Sequence, residues 1–315
     1  MSPLPIRGVV PILPTPFRAD DEVDLDALAG LVEFAITAGA SAVGTPAFGS
    51  EFYKLTDSER LRVLESVMTR ANGRIPVVAQ CNHHSPRHAA RVARQAQEMG
   101  AAAVNVALPR QFPASSAQIL NYARTVCDSV SVPVVVQDWY PGGEPVGLAF
   151  AVELRRHCAN FRYLKREEPG IGPLIRAIQL ELGGEVGVFL GWGGMHVPEL
   201  QPAGACGVMP GLALADVLVR IWRLGSDSQW SAAYSLFARI APYLQFSLQT
   251  FEQFHHAEKL LLCARTILQS GAVRPVTIEL SPDARAYLDN LIHELLPTLG
   301  AIASNSDNKS DRRAS

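Results

Sequence analysis

The chain has 315 residues, 48% of them hydrophobic and 18% charged, a composition that buries a sizeable core and excludes disorder over most of its length. A net charge of −2 and an isoelectric point near 6.5 give no global attraction to nucleic acid or anionic lipid, which leaves small-molecule chemistry as the default. The first residues lack a basic segment followed by an apolar run, and no stretch of about 18 uncharged apolar residues occurs; neither export nor a membrane span is expected, and the protein reads as cytoplasmic.

Along the chain, short apolar runs rich in β-branched residues alternate with longer helical patterns. The first strand is expected at Gly8–Leu13 and the first helix at Leu25–Ala38, capped by Asp24. Ala40–Gly44 is followed by a helix over Thr56–Arg70, where Thr56 and Glu59 form a capping box. The alternation continues with strand Ile75–Gln80 and helix Arg87–Met99, strand Ala102–Ala107 and helix Ala117–Asp128, and strand Pro133–Gln137 and helix Gly147–His157. Strand Arg162–Lys165 precedes helix Ile171–Glu181; strand Val186–Leu190 precedes the weakest helical segment, after Gly191; and strand Gly204–Met209 precedes helix Leu212–Leu224. Eight nearly continuous apolar strands, covered by helices on the outside, close into a parallel (β/α)8 TIM barrel. An open doubly wound sheet is the alternative, but Pro14, Thr15, Pro16 and Phe17 after the first strand make no Gly-rich phosphate cradle.

After Gly225 the alternation stops. Ser228–Gln245, Phe251–Gln269 and Pro282–Leu296 follow as amphipathic helices, giving a barrel over residues 1–225, a C-terminal helical extension over 226–300 and a polar, disordered tail over 301–315. The five cysteines, Cys81, Cys127, Cys158, Cys206 and Cys263, are widely spaced and read as reduced core residues. His255 and His256 lie on a helix without partner ligands, and no metal-ligand cluster is expected.

In a β/α barrel the reacting groups stand at the C-terminal ends of the strands. Those ends deliver Thr15; Gly49, Ser50 and Glu51; His83 and His84; Arg110; Gln137 and Asp138; Lys165; Trp192; and Met209 with Pro210 and Gly211. Lys165 ends a short apolar strand, where burial disfavours the ammonium and favours a neutral amine able to attack a carbonyl. The other reading of Lys165 is an ion pair with Glu167 or Glu168 at the barrel rim. Adjacent His83 and His84 point opposite ways on extended backbone, so one at most serves a site.

The run from Tyr163 through Lys165, Glu167 and Pro169 to Gly170 resembles the Schiff-base segment of the dihydrodipicolinate synthase and N-acetylneuraminate lyase family. Gly8–Phe17, Ser50-Glu51 with Leu55–Arg60, Gly204–Met209, and Lys259 with Gly271–Pro275 resemble other landmarks of that family in the same order, over about residues 5 to 297. The resemblance implies a cofactor-free homotetramer, a dimer of dimers, whose Lys165 condenses with a 2-oxo acid. Ser50 and the Gly49 amide would hold the substrate carboxylate, Arg110 a distal carboxylate, and Thr15, His83, Asp138, Trp192 and Met209 the rest of the substrate.

The departures are informative. Gln137, Asp138, Trp139 and Tyr140 stand where the family carries its acid/base tyrosine turn, and Ala47, Phe48 and Gly49 replace the relay-threonine turn. A glutamine cannot shuttle protons as a phenol does. Val136, Gln137 and Asp138 in that place, the turn of Ser50 and Glu51, and the run of Lys165, Glu167, Pro169 and Gly170 are similar to the subgroup that includes L-2-keto-3-deoxyarabonate dehydratase. That subgroup implies dehydration of a 2-keto-3-deoxy sugar acid, with pyruvate-dependent aldol chemistry and a binding or regulatory role as the alternatives. Glu51, water on Gln137, Tyr140 and one of the two histidines are the candidates for the acid/base work.

Overall fold

The computed structural model describes residues 4–111, 113–139 and 145–311, with side chains to 302. The elements are β1 (Gly8–Val9), α1 (Leu25–Thr37), β2 (Val43–Thr45), α2 (Asp57–Ala71), β3 (Val77–Gln80), α3 (Pro86–Glu98), β4 (Ala103–Ala107) and α4 (Ser116–Cys127). They continue with β5 (Val134–Asp138), α5 (Leu148–His157), β6 (Phe161–Arg166), α6 (Gly172–Glu181), β7 (Gly187–Leu190), α7 (Val197–Leu200), β8 (Gly207–Val208) and α8 (Ala215–Ser226). Then come α9 (Trp230–Ser247), α10 (Phe251–Ala264) and α11 (Pro282–Asp311).

All strands pair in parallel in the order β1-β8-β7-β6-β5-β4-β3-β2. Ile12, just past β1, bridges both Gly44 of β2 and Gly211 beyond β8, which brings the sheet's two ends together. The fold is therefore the expected β/α barrel with C-terminal helices. Strand period two sorts the side chains. Val135, Tyr163, Phe189 and Met209 face the interior, where Val10, Ile12 and Val78 join them. Val134, Val136, Leu164 and Val188 face outward and pack under the helices, against residues such as Ile119, Leu154 and Ile175.

Helix starts follow the sequence closely. The Asp24 carboxylate accepts from the Ala27 amide at 2.9 Å. At α2 the Thr56 amide donates to Glu59 at 2.8 Å and the Glu59 amide to Thr56 Oγ1 at 3.2 Å. Gly39 and Gly100, after α1 and α3, take φ of +76° and +92°, where a side chain would be strained.

Differences have local causes. β1 is shorter than its apolar run because Pro11 has no amide hydrogen to donate to a ladder. α10 stops at Ala264 rather than 269, where Thr266 turns to φ 58° and the Ile267 amide bonds back to Leu262. α11 continues to Asp311, through most of the segment expected as an unstructured tail. Leu295, Leu299 and Ile302 recur on one helical face and pack on the core, which carries the helix past Gly300. Residues 312–315 lie outside the described residues. Four of the five cysteines are buried, Cys263 is half-buried, and all are free. Among the described residues no helix is long and apolar enough to cross a membrane.

Candidate active site

The alternation of β6 places Tyr163 and Lys165 on its barrel-facing side, and Glu167, the next inward residue, stands beyond the strand end. Tyr163 fills the interior beneath, 5.0 Å from the Phe189 ring, its hydroxyl accepting from the Ile6 amide at 2.7 Å. Lys165 is 5% exposed, and its Nζ lies 3.3 Å from Glu167 Oε1. Gln137, its register partner on β5, donates from Nε2 to the same oxygen at 2.8 Å. The Gln137 carbonyl oxygen in turn accepts from Asn105 Nδ2 at 3.3 Å. Glu167 Oε2 accepts from the Trp192 amide. The carboxylate is thus fixed from three sides, one of them the amine.

Gly191 is what makes this position possible, because a Cβ there would overlap the Glu167 carboxylate. Gly191→Ala is expected to swing Glu167 away from Lys165 and lower kcat by roughly 10²-fold, the cost of an ångström-scale misplacement. Steady-state kinetics of the variant checks this; unchanged kcat would show that Glu167 needs no such placement.

Above Lys165 opens a cavity of ≈ 360 Å³. Gln137, Lys165 and Glu167 form its polar floor; Ile12, Ala47, Met209 and Gly211 form the walls. Its roof comes from the helical extension, with Leu248, Gln249 and Thr250 from the α9–α10 connection and Phe251 and Phe254 from α10. Close approach needs two glycines: a Cβ on Gly193 would sit 2.8 Å from Leu248, and one on Gly49 3.3 Å from Phe254.

Of the site residues expected from the sequence, Lys165, Gln137, Gly49, Trp192 and Met209 line this cavity. Others are turned elsewhere by stronger local partners. The Ser50 hydroxyl donates to the Leu13 carbonyl at 2.5 Å and accepts from the Ala47 amide at 3.0 Å, so it closes its own turn. Thr15 Oγ1 donates to the Ser50 carbonyl at 2.7 Å, bracing the same turn. Arg110 forms a bidentate pair with Asp138 at 2.8 and 2.6 Å, and Asp138 also accepts from the Val146 amide, so neither projects into the cavity. His83 stacks on His88 at 4.0 Å and accepts from the Ser85 amide, outside the cavity. Tyr140 lies outside the described residues.

Glu51 departs most from its expected catalytic role. It is fully buried at φ 57°, and its carboxylate receives Lys259 Nζ at 2.5 Å, Lys54 Nζ at 3.2 Å and the Arg274 amide at 3.2 Å. It ties the β2–α2 turn to the helical extension instead of facing the cavity.

Behind Gly211 lies Glu258, fully enclosed and accepting from the Ala213 amide at 2.7 Å. Burial pushes its carboxyl from 4.5 up to about 7. A raised acid is held protonated by the fold, so its stabilising contribution is complete below 4.5 and is lost as pH rises through about 7. That loss amounts to roughly 3 kcal/mol. Glu258→Gln, which keeps an acceptor for Ala213 but cannot ionise, should gain on the native protein as pH rises from about 5.5 to about 8.5. Melting temperatures at the two pH values check it, and a constant difference between the proteins would refute it.

Fold and site together present an amine near the end of the sixth strand of a β/α barrel, at the floor of a partly open cavity. Residues 5–148 match the Dihydrodipicolinate synthetase family. Similarity runs on through Lys165 in full-length relatives. The chain is 28% identical to an L-2-keto-3-deoxyarabonate dehydratase of Azospirillum brasilense, over 92% of this chain and 95% of that protein. It is 25% identical to a 4-hydroxy-tetrahydrodipicolinate synthase of Methanococcoides burtonii, over 92% and 98%. The dihydrodipicolinate synthase structure from Rhodopseudomonas palustris superposes with a TM-score of 0.85 at 25% identity, covering 93% of this chain and 99% of that one. Over residues 5–148 the chain thus resembles the dihydrodipicolinate synthetase family, and it shares the fold of the Rhodopseudomonas palustris structure.

Proposed function

We propose that Lys165 forms a Schiff base with a 2-oxo acid and that Glu167 moves the protons that remove water from a 2-keto-3-deoxy acid, the class to which the A. brasilense relative's sugar acid belongs. The observation that carries this reading is the Glu167 carboxylate, 3.3 Å from Lys165 Nζ inside the cavity.

Glu167 first takes the proton that leaves Lys165 as a neutral amine. The amine adds to C2, and Glu167 returns that proton to the carbinolamine hydroxyl, which leaves as water; the resulting iminium acidifies the hydrogens on C3, and Glu167 is again a carboxylate. The carboxylate accepts one C3 proton, leaving an enamine, then returns it to the C4 hydroxyl as the enamine electrons expel that group as water. Hydrolysis of the unsaturated iminium frees Lys165 and a product with its carbon skeleton intact. Gln137 donates to Glu167 and takes no proton itself, which suits a carboxylate in place of the family's tyrosine. In this reading the enzyme is a cytoplasmic homotetramer with no resident cofactor, and the barrel of 1–225 and extension of 226–300 act as one unit.

Borohydride treatment with 2-oxo acids, followed by peptide mass mapping, tests the Schiff base; label on the Lys165 peptide is expected. Product analysis tests the reaction, because dehydration retains the carbon chain whereas aldol cleavage releases pyruvate and an aldehyde. Failure of every 2-oxo acid to label Lys165 would overturn the proposal.

A further inference from the structure

We infer that the cavity above Lys165 is built for a 2-oxo acid whose far end is a flat apolar group, an aromatic ring in the simplest case, instead of a polyhydroxylated chain. The inference rests on the Schiff-base reading of Lys165 and specifies which acid that lysine receives.

Three aromatic side chains from distant parts of the chain meet on one side of the cavity. Phe48 from the β2–α2 turn stacks with Phe251 of α10 at 5.4 Å and 14° between planes. Trp139, after β5, meets Phe251 edge-on at 4.7 Å and Phe48 at 5.9 Å. Phe254 and Trp192 also line the cavity. Such rings attract another ring in offset or edge-to-face geometry beyond what burial alone supplies.

Among the described residues the polar lining is segregated. Gln137, Lys165 and Glu167 lie together on the floor and are engaged with one another. Gln249 and Thr250 lie in the α9–α10 connection, where Thr250 Oγ1 accepts from the Gln253 amide as the α10 cap. Arg110, expected to anchor a distal charge, is held by Asp138 away from the cavity. A sugar acid tethered through C2 would lay its hydroxyls against ring faces that cannot replace their hydrogen bonds to water. Cyclic sugars do rest on aromatic faces through their C–H edges, but an open-chain acid has hydroxyls on both sides and no such face. The volume also fits: a cavity of ≈ 360 Å³ is in the size range of sites for drug-sized molecules.

The test is reductive trapping on the full-length protein with pyruvate, 2-oxo-4-phenylbutanoate and 2-keto-3-deoxygluconate, reading the concentration that half-labels Lys165. The phenyl acid is expected to half-label at a concentration about tenfold or more below that for the sugar acid. Phe251→Ala and, independently, Trp139→Leu should shrink that ratio to about threefold or less, with pyruvate labelling in each variant reporting an assembled site. If pyruvate labels Lys165 but the sugar acid matches or outperforms the phenyl acid, the aromatic subsite is overturned and the Schiff-base reading stands. If none of the three acids labels Lys165, the Schiff-base reading falls and takes the subsite with it.

Discussion

Glu167→Gln is expected to slow dehydration by roughly 10² to 10⁴-fold while Lys165 still reaches full labelling in reductive trapping, more slowly because Glu167 no longer takes the lysine's proton. The amide has nearly the shape of the carboxylate and can still accept from Gln137 Nε2, although its NH2 group then faces the Trp192 amide and that contact is lost. It cannot take a proton from C3 or give one to the C4 hydroxyl. Lys165→Arg makes the opposite separation: Glu167 keeps a cationic neighbour, yet the guanidinium does not form the iminium, so trapping and turnover both disappear. Trapping yield and kcat, measured side by side on the two variants, therefore assign carbon–nitrogen chemistry to one residue and proton transfer to the other. Turnover of Glu167→Gln within a few-fold of the native protein would remove Glu167 from the chemistry and return the acid/base role to the region of Tyr140, outside the described residues.

The sequence reveals the barrel because its signal is local and repeated. Each strand run is apolar on both faces, and each helix announces its start, as Asp24 and Thr56 do. Lys165 is legible for the same reason, being a lysine near the end of a strand that also carries the core residues Phe161, Tyr163 and Leu164. Glu167 is harder to assign. From position alone it reads as the partner in an ion pair, and the sequence does not say that the pair faces a cavity. The fixing contacts come from Gln137, 30 positions back, and from the amide of Trp192, 25 positions on. Ser50 and Arg110 show the converse: both stand at strand ends with suitable chemistry, and both are claimed by partners only the fold supplies, the Leu13 carbonyl and Asp138. Phe251 and Phe254 were invisible because the strand-end rule looks inside the barrel and these rings arrive on a helix appended to it. The readable signals were the glycines at 49 and 193, whose missing side chains admit that helix.

The same appended helix carries the largest expected effect on stability. Lys259→Met should destabilise the protein by about 3 kcal/mol or more, because it leaves Glu51 buried with only Lys54 and one amide to balance its charge. Burial lowers the Lys259 ammonium to about 8, so it remains largely charged at neutral pH and the pair is ionic there. Its Nζ also donates to the Ala272 carbonyl at 2.7 Å and lies 4.4 Å from the Phe17 ring centre, so one side chain joins α10, the segment after it and the β1–α1 connection. The double variant Glu51→Gln with Lys259→Met should recover much of the loss, since the main cost is the stranded carboxylate and not the missing attraction. Denaturant unfolding of the native protein, both single variants and the double variant closes the cycle; additive losses would mean that the two groups do not act as a pair. Because Glu51 follows Gly49 and Ser50 directly, and the extension it holds bears the cavity roof, Lys259→Met should also raise KM more than it lowers kcat. A merely structural buried pair would lower stability and leave that ratio unmoved.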